Sequence, residues 1–124
     1  MRHFSHALIR AGSLLITAAA VAGATDRRAM RDETSFLAAT HAAMATMMSA
    51  MRAGRRGNVD ADFAAMMVAH HQGAIAMAQA QLRYGQNEQL HRIAQGIIVT
   101  QQQEIAALRA AVGQLPAPAA TPPD

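Results

Sequence analysis

The stretch DFAAMMVAHHQGAIAMA, residues 62–78, holds adjacent histidines, His70 and His71, with Met66 and Met67 a turn before them and Met77 two turns after. A core built only for stability takes leucine or isoleucine at such positions, because their rotamers are better defined and they carry no nitrogen in need of a partner. Thioether sulfur is polarizable and uncharged, so it favours Cu(I), or Ag(I) by the same chemistry, over hard cations that seek oxygen, and neutral imidazole adds a stronger donor. More donors stand on either side: His41, Met44, Met48 and Met51 upstream, Gln101 and Glu104 downstream. Each type also has a plainer use. A methionine stripe at helical spacing fills cores, and Gln101 with Glu104 can satisfy buried imidazoles without any metal.

The elements that must carry these residues read as helices. Alanine, glutamine, methionine, leucine and arginine dominate and β-branched residues are sparse. A first helix is expected from Asp32 to Ala53, where GRRGN breaks it. Asn58 or Asp60 caps a second, which runs to Tyr84 and stops at Gly85. Asn87 caps a third, with Glu88 in its first turn, and Gly113 closes it. Apolar spacing alternates four and three in all three: Leu37, His41, Met44, Met48 and Met51; Phe63, Met67, His70, Ala74 and Met77; Leu90, Ala94, Ile97, Gln101, Glu104 and Leu108. Short connections fold neighbours back on each other, so the expected fold is all-α, an antiparallel up-down bundle. Three helices leave a flank open, which a second copy of the chain can complete.

Comparing heights along antiparallel helices places Met44 near His70, Met48 near Met66 and Met67, Gln101 near His70 and His71, and Glu104 near Met67, to within a helical turn of roughly 5 Å. The expected inner ligands are therefore Met44, Met67, His70 and His71, with Met48 and Met77 adjacent and His41 extending the site. Gln101 and Glu104 stand behind them, accepting the second ring N–H and fixing the tautomer.

The chain as a whole narrows the setting. Arg2 and Arg10 precede or open the uncharged run AGSLLITAAAVAGA, followed by polar TDRR. This is the layout of a secretory signal, expected over residues 1–24 with cleavage after Ala24. The run is shorter than the roughly 20 residues a bilayer span needs, so no stable membrane anchor is expected after cleavage. The bundle domain then covers 25–113, and QLPAPAATPPD, residues 114–124, is a proline-rich tail expected to stay mobile. The chain has no cysteine, so packing or a bound group must hold an exported domain together. Methionine also keeps its ligand form outside the cytoplasm better than a thiol, which oxidises to disulfide. Past residue 24, nine arginines face eight acids, and Phe36, Phe63 and Tyr84 are the aromatics, which argues against nucleic-acid binding. Glu88 and His91 form a Glu-x-x-His, half of a di-iron carboxylate motif, but the other glutamates are Glu33 and Glu104 and neither begins a second copy of it. A ferritin-like oxidase, and an enzyme generally, is disfavoured.

DADFAAMMVAHHQGAIAMA and AQGIIVTQQQEIAAL together resemble the bacterial domain of unknown function numbered three hundred and five, whose members include CopM-type periplasmic copper-binding proteins. Asp60, Phe63, Met67, His70, His71, Ala74, Met77 and Ala78 sit where the first motif has its aspartate, phenylalanine, methionine, paired histidines, alanine and methionine-alanine pair. Ala94, Ile97, Gln101, Glu104 and Ile105 match the later helix. The resemblance implies a ferritin-like helical bundle, usually exported, with copper or silver handling in some members. Ala69 stands where a proline often precedes the histidine pair, and the long Met/His-rich extensions of the better-studied copper binders are missing, so one or two sites are expected. The functional expectation is an exported binder of monovalent copper for buffering or resistance, whose partners are the ion and a second copy or another copper-handling protein. The alternative is a non-metal helical interaction module in which a buried His/Gln/Glu network fixes helix register.

Overall fold

The computed structural model describes the backbone of residues 6–53 and 57–114 and the side chains of 23–53 and 57–114. It contains α1 (His6–Ala53), α2 (Val59–Tyr84) and α3 (Glu88–Ala111), and no strand among the described residues. The all-α expectation holds. The start of α1 differs from the expected Asp32: the alanine- and leucine-rich run before it is itself helix-forming, and no proline separates the two. No described helix is long and apolar enough to cross a membrane. The first five residues of the expected signal, Gly54 to Arg56 of the expected turn, and the tail from residue 115 lie outside the described residues.

The chain divides into two compact units, residues 1–35 and 36–124. In the first, Arg28 lies 3.9 Å from Asp32 one turn on, an exposed pair that contributes little. The second unit holds the rest of α1 with α2 and α3, and every candidate ligand.

Caps place the helices of this second unit. Asn58 Oδ1 accepts from the backbone N–H of Asp60 at 2.9 Å and of Ala61 at 3.2 Å, and Asp60 and Asp62 stand in the first turn of α2. Asn87 Oδ1 accepts from the Leu90 N–H at 3.0 Å to open α3. At its far end Gly113 adopts φ 69°; its N–H donates to Ala110 and that of Gln114 to Arg109, the paired bonds by which a left-handed glycine ends a helix.

Small residues make the α1–α2 contact. A Cβ added to Gly73 would lie 2.7 Å from Met47 Sδ and 2.9 Å from Met47 Cβ, so the helices approach there as closely as a missing side chain permits. Around that point Ala39, Ala43 and Ala50 face Ala69, Ala76 and Ala80 across a shallow cleft of about 380 Å³. The link between α1 and α2 is too short to span either helix, so the two run antiparallel. In the expected register Gly73 would face His41; Met47 faces it instead, a displacement of about six residues, or roughly 9 Å. The alanine and glycine face sets this register, because only there can the backbones close together.

The α2–α3 contact lies on the other side of α2. Ala64, His71 and Ala78 are buried there, as are Ala94 and Ile105 on α3. Gly73 and His71 are two residues apart, about 160° around the helix, so α1 and α3 take nearly opposite sides of α2. The expected seams are consequently not the buried faces. Phe63 is 58% exposed, His70 and His41 are exposed, and Leu37, Met44, Met48, Leu90 and Ile97 keep roughly two-fifths to one-half of their surface. Among the described residues no large side chain is fully buried, and the core is alanine with Ile105 and His71.

Candidate metal centre

His71 is the buried member of the histidine pair, 7% exposed, because its place on α2 faces α3. Its Nε2 lies 2.9 Å from Glu104 Oε2. A carboxylate only accepts, so Nε2 carries the hydrogen and donates it. The same Oε2 accepts from Gln101 Nε2, also at 2.9 Å, one turn earlier on α3. Gln101 thereby braces Glu104, and Glu104 fixes the ring of His71 in orientation and tautomer. The remaining ring nitrogen, Nδ1, is buried and has no hydrogen-bond partner. In the neutral ring Nδ1 is a bare lone pair. A buried acceptor without a partner is costly, on the order of 1–3 kcal/mol, and calls for a role.

A carboxylate holding one imidazole nitrogen while the other is left open is the arrangement that prepares a histidine for a metal. Met67, half-buried, stands one turn before His71 on the same side of α2 and is the thioether that helical spacing brings nearest. His70 follows from the solvent side, its ring centroid 5.9 Å from that of His71 at an interplanar angle of 65°.

The remaining expected ligands divide by helix face. Met77 is half-buried on the His70 side of α2, one and a half turns beyond His71. Met44 and Met48, both near half exposed, belong to α1, and the register set at Gly73 puts Met44 about six residues, roughly 9 Å, along α1 from the height of His70. Their displacement is the register difference described above. His41 is exposed on α1 beyond them. Glu104 lies one turn from its expected height and meets His71 where Met67 had been expected. Among the described residues no three His, Asp or Glu side chains converge in a way that could hold a metal ion. A centre at His71 therefore needs sulfur to complete it.

His91 and Glu88 do not form half a di-iron site. His91 Nε2 lies 3.0 Å from the carbonyl of Gly85 and secures the α2–α3 link, while Glu88 turns outward, 3.8 Å from Arg92.

The sequence matches the model of a protein family, the domain of unknown function DUF305, over residues 14–112. The chain belongs to that family. The matched range takes in most of α1 and all of α2 and α3, including His71, Gln101 and Glu104. No curated protein matches the sequence of this DUF305 chain.

Two features of the site escaped the sequence pattern. Gly73, a glycine inside a helix, is the signal that could have located the close α1–α2 approach to Met47. The difference between His70 and His71 could not be drawn from the methionine stripe, which points to His70; it is the Glu104 contact across α2 and α3 that marks His71.

Proposed function

We propose that this DUF305 chain binds monovalent copper, or silver, outside the cytoplasm and buffers or carries it without catalytic turnover. The observation that carries the reading is the state of His71: one nitrogen donated to a braced carboxylate, the other a buried lone pair with no partner. His71 Nδ1 is the first ligand and Met67 the second. His70, exposed beside His71, is the group an arriving ion meets first. A soft monovalent ion accepts few donors, and a nitrogen and a thioether suit it better than a hard divalent one. The Arg-led apolar run before residue 24 supports export, and the resemblance to copper-binding members of the family supports the choice of ion.

A second reading rests on the same contact. Glu104 ties α3 to α2 through His71, so the cluster can serve purely to fix register, with the open flank meeting a partner. The unpartnered Nδ1 favours the metal, because a network built only for register gains nothing from an empty acceptor.

Titration with Cu(I) under reducing conditions against a competing chelator tests the proposal. The wild type should bind more tightly than a peptide of the same composition, and His71→Ala should lose most of that margin. Affinity no better than the peptide's, or untouched by His71→Ala, would remove the reading.

A further inference from the structure

The apolar stripes that mark this sequence are not used to pack the chain on itself. On α2, Phe63 and Met66 are 58% and 43% exposed; on α3, Leu90, Ile93 and Ile97 are 47%, 51% and 39% exposed. Around α2, Phe63, Met66 and His70 fall within about 60° of one another, between the line that meets α1 and the line that meets α3. Around α3, Leu90, Ile93 and Ile97 also fall within about 60°. Because α2 and α3 are right-handed and antiparallel, both stripes emerge on the same side of their shared contact, and the half-exposed stripe of α1 borders it.

We infer that this face, centred on Phe63, Met66, Ile93 and Ile97, is an interface between two copies of the chain. The amount of surface is the first argument. With Leu37, Met44 and Met48 of the α1 stripe, eight large apolar side chains each keep roughly two-fifths to three-fifths of their surface, apolar area on the order of the several hundred Å² that each partner contributes to a stable interface. The second argument is what lies inside: a second unit whose core is alanine with one isoleucine has its large side chains still to bury.

Spacing and charge point to a second copy as the occupant. A stripe at three- and four-residue intervals is complementary to a helix bearing the same stripe, and a two-fold axis crossing α3 would set Ile93 and Ile97 against themselves. Arg92 and Arg109 project from other sides of α3. Glu104 does edge the face, and one of its oxygens already accepts hydrogen bonds from His71 and Gln101. The inference draws no support from the copper reading, though the two share His70, which lies on the α2 stripe of this face.

Sedimentation equilibrium of the protein, purified in the form the cell accumulates, tests it without added metal. The wild type should be a dimer that dissociates on dilution, with a Tm that rises with protein concentration. The pair Ile93→Glu and Ile97→Glu should raise the dissociation constant at least roughly 100-fold, two hot-spot residues' worth. Val99→Glu, 54% exposed on the opposite flank of α3, should leave the dimer intact. The chain has no cysteine, so Ile97→Cys reports directly if the glutamate pair fails to fold. It should form a disulfide-linked dimer on mild oxidation, and Val99→Cys should not. A concentration-independent monomer that unfolds cooperatively would overturn the inference. So would a dimer broken by Val99→Glu and not by changes at Ile97, or a stable one-to-one complex with a different protein on this face.

Discussion

Glu104 accepts two hydrogen bonds on one oxygen, from His71 across the helix contact and from Gln101 on its own helix, while its side chain stays half exposed. That geometry makes it the residue through which the site can be weakened without touching a ligand. Glu104→Gln keeps size and helix preference but removes the charge that polarises the imidazole, and the amide can turn either end to Nε2. The expected outcome is a 10–100-fold loss of Cu(I) affinity, the usual consequence of losing a partner behind a metal-bound histidine, with the far-ultraviolet circular dichroism unchanged. A chelator-competition titration of the variant beside the wild type measures it. Unchanged affinity would mean that Glu104 only joins helices. At this scale the sequence was informative about residue types and less so about their positions. His71, Gln101 and Glu104 were all legible as one polar cluster, since amide, carboxylate and imidazole do not belong in an alanine core. Which imidazole is buried depends on which side of α2 faces α3, and adjacent residues differ by about 100° around a helix.

The helices themselves were nearly all legible. Asn58, Asn87, Gly85 and Gly113 mark ends for stereochemical reasons that hold wherever the helix is placed, and the structure uses each of them. The faces were not legible, because alanine is the commonest residue both inside and outside these helices. The eye follows methionine and leucine, and here those side chains lie off the packing line while alanine and glycine set it. Gly73 gives that conclusion a measurable form. Gly73→Ala adds a methyl within 3 Å of Met47 Cβ, an atom fixed to the α1 backbone, so α1 must shift. Overpacking of this kind costs about 1–3 kcal/mol, and alanine returns about 1 kcal/mol through its helix propensity. The net expectation is a loss of roughly 1 kcal/mol in urea unfolding. Gly96→Ala, where nothing lies within 4 Å, should instead be neutral or stabilising. If both substitutions stabilise, the close α1–α2 approach is wrong.

For the molecule as a whole, an alanine-rich core means that any ligand bound only by the folded state should show strongly in stability. A metal at 100 times its dissociation constant adds about 2.7 kcal/mol, and for a domain near 100 residues each kcal/mol moves the midpoint about 4–8 °C, so Cu(I) should raise Tm by roughly 10–20 °C at fixed protein concentration. Fixing the concentration matters, because self-association shifts Tm by the same mass-action logic. The two readings of the His71 cluster part company in the variant. If the cluster fixes register and nothing more, His71→Ala lowers Tm by one amount with and without copper. If His71 Nδ1 is a ligand, the variant loses Tm modestly in the apo form, since it also removes an unsatisfied acceptor, and loses nearly all of the copper-induced rise. A copper-induced rise that survives intact in His71→Ala would place the ion elsewhere on the chain, and the exposed methionines of α1 would then be the donors to examine.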